Sequence, residues 1–126
     1  MKGHVLVVED NLANMELLCD WLESEGYRVT AATTLAEACA SFVDPLPQIV
    51  LLDIQLGSED GLFLAGWIRE RPQYCAIPVI AVTAHAMVTD QARIRDAGCS
   101  VCVSKPIDFK GLAVHLDHCL TQGAKF

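Results

Sequence analysis

The stretch IVLLDIQLGSEDG, Ile49 to Gly61, carries four apolar residues into Asp53 and then turns through Gly57, Ser58, Asp60 and Gly61. A short apolar run bounded by turn residues predicts a strand buried on both faces, as in a parallel sheet. A lone carboxylate at the end of such a strand is costly unless something pairs with it. Packing alone does not account for Asp53, so its neighbours in space have to.

Outward from this strand, short apolar runs alternate with helical patterns. His4 to Val8 predicts a first strand, and Leu12, Met15, Leu18, Cys19 and Leu22 follow at helical spacing up to Gly26. Tyr27 to Ala31 predicts a second strand, and Thr34 an N-cap for a helix with Leu35, Ala38, Cys39 and Phe42 on one face, ended by Pro45 and Pro47. After the Ile49–Asp53 strand, a helix is expected from about Gly61 to Arg71. Pro78 opens a fourth strand, VIAVT, followed by a helix from about Val88 to Ala97 that Gly98 ends. VCVS is the fifth strand, and Leu112, Leu116, Cys119 and Leu120 mark a last helix. Five β-then-α units in series predict one α/β domain over residues 1–126, a doubly wound five-stranded parallel sheet with five helices. In such sheets ligands sit beyond the carboxyl ends of the strands, near the point where strand order reverses.

Composition narrows the function. The 126 residues are 52% hydrophobic and 20% charged, which suits one soluble globular core. A net charge of −7 without a basic run argues against a nucleic-acid partner. The apolar run in MKGHVLVVEDN is too short for a signal peptide, and no stretch approaches the ~20 apolar residues of a membrane span. No membrane partner is expected, and the cytoplasm is the expected compartment. The six cysteines are expected there as thiols.

The strand ends collect the chemistry. Strand one ends in Glu9 and Asp10, strand three in Asp53 and strand four in Thr83, and Lys105 follows strand five. If strands one and three are neighbours, three carboxylates converge; left alone, at least one takes up a proton. A divalent cation removes the conflict, and oxygen-only ligands with room for water favour Mg²⁺. Lys105 and the Thr83 hydroxyl add a cation and a donor opposite, an arrangement suited to phosphoryl transfer by positioning and charge neutralisation. Asp53 is the best-placed nucleophile, giving an aspartyl phosphate. Each residue also has a plainer reading. Glu9 and Asp10 could cap the first helix, Thr83 could be an ordinary strand residue and Lys105 a solvated loop lysine.

Taken together, VVEDN, LLDIQLGSEDG, AVTAHA and SKP, in order and each at a strand end, resemble the response-regulator receiver domains of the CheY-like family over about Lys2 to Leu120. VEDNLANM and GC…VSKPI further resemble the stand-alone receivers of the DivK type. The resemblance implies a flavodoxin-like sheet of order 2-1-3-4-5 and a switch in a two-component phosphorelay. It implies Asp53 as phosphoacceptor, Mg²⁺ bound by Asp10, Asp53 and the Gln55 carbonyl, and Glu9 acting through water. Thr83, Lys105 and the Ala84 backbone would hold phosphoryl oxygens, and the Lys105–Pro106 bond would be cis. The donor would be a phosphohistidine on a sensor histidine kinase or a histidine phosphotransfer protein, and the output a protein target. Such a domain catalyses only its own phosphorylation and dephosphorylation.

The chain departs from this family at three places. Cys102 stands where a Tyr or Phe usually reports phosphorylation, and Gly57 stands where proline is common, predicting a more mobile loop. Gln55 and His85 occupy positions that tune dephosphorylation. The alternative reading is a degenerate receiver, a protein-binding module that never takes phosphate; the complete acidic cluster with Thr83 and Lys105 weighs against it. A flavin carrier fits poorly, because EDNLAN is acidic where a phosphate loop belongs. An Asp-nucleophile phosphatase fits poorly too, because Gln55 stands where its second Asp would be. Cys99, Cys102, His115 and Cys119 have zinc-finger-like spacing, but Cys102 lies inside the strand feeding Lys105 and Cys119 on a core stripe, so zinc is not expected. Trp21 and Trp67 read as packing residues.

Overall fold

The computed structural model describes residues 2–84 and 88–122. Along the chain, β1 (Gly3–Val8), α1 (Leu12–Ser24), β2 (Tyr27–Ala32), α2 (Leu35–Ala40) and β3 (Ile49–Asp53) precede a hairpin of β4 (Gln55–Leu56) and β5 (Glu59–Asp60). Then come α3 (Leu62–Arg69), β6 (Val79–Thr83), α4 (Val88–Asp96), β7 (Val101–Ser104) and α5 (Phe109–Gln122).

The main sheet is parallel throughout, in the order β2-β1-β3-β6-β7. With the hairpin set aside, this is the expected flavodoxin-like order. All residues of β3 and β6 are buried, because helices cover both faces. Side chains alternate between the two cores as strand geometry requires. Leu6, Val8 and Leu52 join Leu64, Ile68 and Ile94 on the face covered by α2, α3 and α4. Val5, Val7 and Leu51 join Met15, Leu18 and Leu22 of α1 and Leu112 and Leu116 of α5 on the other. Trp21 packs on Phe109 at 4.9 Å, and Trp67 joins Phe42 and Tyr74 in a second aromatic cluster.

Thr34 caps α2 as its position predicts, accepting from the Glu37 N–H at 3.1 Å. Asn11, rather than Glu9 or Asp10, caps α1 through the Asn14 N–H at 3.0 Å. Two helix ends differ most from expectation. α2 stops at Ala40, well before the prolines, and Phe42 reaches the core from beyond its end. α3 ends at Arg69, two residues early. The β4–β5 hairpin was not foreseen, since two-residue strands leave no periodicity to read. The Asp44–Pro45 and Lys105–Pro106 peptides are both cis.

Candidate functional site

The ends of β1 and β3 lie side by side, with Val8 opposite Leu52. The Glu9 N–H continues the sheet ladder to the Ala32 carbonyl at 3.0 Å, which aims Glu9 and Asp10 across the carboxyl edge toward Asp53. One carboxylate oxygen from each of Glu9, Asp10 and Asp53 lies within 4.8 Å of the others. Glu9 and Asp53 are buried, whereas Asp10 is exposed at the rim.

Each Asp53 oxygen has a partner. Oδ1 accepts from the Gln55 N–H at 2.9 Å, and Oδ2 lies 3.0 Å from Lys105 Nζ. Lys105 also pairs with Glu9 Oε1 at 3.6 Å, and Glu9 Oε2 accepts from the Asn11 N–H at 3.2 Å. One ammonium therefore faces two buried acids, which is less charge than they require. Burial, then the hydrogen bond and charge of Asp53, push Glu9 up to about 7 despite Lys105. When no cation is present, Glu9 therefore holds its proton more tightly than an ordinary carboxyl. Burial pulls the Lys105 ammonium down, but the hydrogen bond and charge of Asp53, with Glu9, outweigh it and leave its pKa raised.

Lys105 is placed by the backbone. Its N–H donates to the Thr83 carbonyl at 2.8 Å, so β6 fixes where β7 hands off to the lysine. Thr83 is buried at the end of β6, and Ala84 follows it, exposed. His85 lies outside the described residues.

The hairpin walls the pocket. Gly57, the first residue of its two-residue turn, has φ +59°, a conformation proline's fixed negative φ forbids. A Cβ there would lie 3.4 Å from Asp10 Oδ2, so the turn touches the cluster. At Gly61 a Cβ would fall 2.5 Å from the Asp53 carbonyl oxygen, so only glycine lets the chain pass so close behind the aspartate. These close approaches escaped the sequence reading; the only available signal was the pair of glycines in LGSEDG. A cleft of about 260 Å³ opens beside the cluster, lined by Glu9, Asn14, Leu17, Lys105 and Phe109 among others.

The donor set fits a hard divalent cation: carboxylate oxygens only, close together. No cysteine or histidine joins a group of this kind among the described residues. Cys99 and Cys119 sit in the cores on opposite faces of the sheet, so the zinc-like spacing does not converge. All six cysteines are free thiols, and burial pushes Cys99 up to about 12. Cys102, half-buried on β7, packs against the core beneath α4. No described helix is long and apolar enough to cross a membrane.

Comparison with known proteins gives the family. The response regulator receiver domain family matches residues 5–117. The polar-differentiation response regulator DivK of Brucella ovis is 41% identical over 107 residues, covering 85% of this chain and 87% of that one. A putative response regulator from Chloroflexus aurantiacus superposes with a TM-score of 0.89 at 25% identity, over 95% of this chain and 98% of that one. The receiver domain of HemR from Leptospira biflexa gives 0.83 at 28% identity, over 94% of each. The family match over residues 5–117 and the relative at 41% identity place the chain in one family: it is a response-regulator receiver domain.

Proposed function

We propose that this receiver is a phosphoryl-accepting switch in which Asp53 takes the phosphoryl group, with Mg²⁺ as cofactor and a phosphohistidine as donor. The observation that carries this reading is Asp53 held between Lys105 at 3.0 Å and the Glu9–Asp10 acids at the carboxyl edge of the sheet. Asp10, Asp53 and the Gln55 carbonyl would hold the cation directly, with Glu9 acting through water. When bound, the cation supplies the positive charge that three acids and an incoming phosphoryl group need.

The chain's own groups do the rest. An Asp53 oxygen forms the new O–P bond as the donor's N–P bond breaks. The bonding pair returns to the imidazole nitrogen, which takes up a proton in leaving. Lys105, already aimed at Asp53 Oδ2, neutralises charge on the transferred oxygens, and the Thr83 hydroxyl and Ala84 N–H donate to them. Gln55 and His85 would set how long the phosphoryl group lasts. The donor is carried by a sensor histidine kinase or histidine phosphotransfer protein. The added negative charge changes the face formed by α4, β7 and α5, which a downstream protein reads.

Intact mass after incubation with acetyl phosphate tests the reading. One phosphoryl adduct is expected in the wild type with Mg²⁺, and none without Mg²⁺ or in Asp53→Asn. No adduct in the wild type would instead support a protein-binding module that works without phosphate.

A further inference from the structure

The β4–β5 hairpin touches more of the molecule than a connector needs to. On its first strand, the Gln55 N–H donates to Asp53 Oδ1 at 2.9 Å. In the hairpin register Gln55 lies directly opposite Asp60. Asp60 then divides its carboxylate. Oδ1 accepts from the Leu62 N–H at 3.0 Å, at the start of α3, and Oδ2 pairs with Arg93 Nη1 of α4 at 3.5 Å. Glu59 ties the same strand to α2 through the Leu35 N–H at 3.3 Å. At the tip, Gly57 rests against Asp10. One short ribbon therefore joins two of the three cluster acids to α4.

α4 is open to such a tie. Among its described side chains, residues 90–96, only Ile94 is buried. A cleft of about 280 Å³ lies between α4 and β7, lined by Gln91, Ile94, Arg95, Cys99 and Cys102 among others. Cys102 is one of the small side chains that line this space. With little core contact to fix α4, one polar tie at its edge can weigh on its position.

The geometry points to the hairpin as a strut that couples cation binding to α4, through Gln55, Asp60 and Arg93. This inference rests on the cation reading above. A cation held by Asp10, Asp53 and the Gln55 carbonyl pins β4; the ladder pins Asp60; a fixed Asp60 costs Arg93 less freedom to pair with. By reciprocity, the Asp60–Arg93 pair pre-organises the Gln55 carbonyl and tightens cation binding. Both partners are more than half exposed, at 57% and 59%, so the coupling is small, about two- to fivefold.

The sign of one substitution separates this from simple electrostatics. Arg93→Gln removes a positive charge, which through space alone would tighten Mg²⁺ binding. The strut requires the opposite. Mg²⁺ titration by calorimetry and amide hydrogen exchange of residues 91–96 are measured on the wild type, Arg93→Gln, Asp60→Asn and the double variant. Asn keeps an oxygen for the Leu62 N–H, so the turn into α3 keeps its bond.

The expected result is Mg²⁺-dependent slowing of exchange in α4 of the wild type. Arg93→Gln should abolish that slowing and weaken Mg²⁺ binding about two- to fivefold, with Arg93→Lys restoring part of both. Once Asp60 is Asn, removing Arg93 should no longer weaken Mg²⁺ binding or reduce α4 protection. Unchanged α4 protection in Arg93→Gln, no slowing in a wild type that binds Mg²⁺, or tighter binding in Arg93→Gln would each overturn the strut. Failure of the wild type to bind Mg²⁺ through Asp10 and Asp53 would overturn the cation reading, and the strut with it.

Discussion

β3 and β7 both pair with β6, one on each side, and each delivers one half of the central ion pair. They are built differently. Every residue of β3 is buried, and Asp53 is its last member. No residue of β7 is fully buried, and Lys105 comes one residue after it ends. Asp53 therefore stands on the more buried side of the site and the ammonium facing it on the looser side, next to a helix with one described buried residue. The difference teaches where rearrangement is cheap. Under the proposed phosphorylation, charge added at Asp53 would meet the buried β3, and displacement would fall on Lys105, β7 and α4.

The largest expected effect sharpens that contrast at its rigid end. Leu52→Ala removes a fully buried side chain beside Asp53 and should cost about 2–5 kcal/mol in urea unfolding. A loss below about 1 kcal/mol would mean that β3 relaxes around cavities and is not the fixed side. Gly61→Ala comes next. Its methyl group would lie 2.5 Å from the Asp53 carbonyl oxygen, so the hairpin must shift, at about 1–3 kcal/mol. Acetyl phosphate labelling should fall with it, because Asp53 and Gln55 move together. Labelling at the wild-type rate would separate the hairpin from the site.

Charge gives a smaller effect with a definite sign. Glu9 binds its proton more tightly in the folded protein than at its ordinary 4.5, up to about 7. The folded state thus holds an extra proton between those values. Its stabilising contribution is complete below 4.5 and is lost as pH rises through 7. Without divalent cations, stability should fall from pH 5 to pH 7 by on the order of 1 kcal/mol relative to Glu9→Gln. Urea midpoints at the two pH values read this, and parallel curves for the two proteins would refute it. Mg²⁺ competes with that proton, so its affinity should rise over the same window. Smallest of all, Val103→Ala on half-buried β7 should cost about 1 kcal/mol or less. A loss matching that of Leu52→Ala would erase the distinction between the strands.

Much of this was legible without coordinates. The apolar run from Ile49 to Asp53 predicted β3 to the residue, because a strand covered on both faces has no polar positions to confuse its ends. Thr34 as a cap followed from hydrogen-bond chemistry local to the chain. Three acids, Thr83 and Lys105 could be assembled because strand ends in a parallel sheet share one edge. The end of α2 was misjudged because proline forbids a helix but does not oblige one to reach it.

What the sequence by itself determined is therefore the βα alternation, the buried strands and the residue types at their ends, all of which rest on periodicity and local chemistry. Tertiary structure alone decided that Lys105 contacts both Asp53 and Glu9, and that burial beside Asp53 raises the Glu9 carboxyl. It also decided that the hairpin turns against Asp10 and pairs with α4 through Asp60. These are contacts between residues far apart in the chain. Their energies depend on distance and on water excluded by the whole fold, and neither quantity is written in any local stretch.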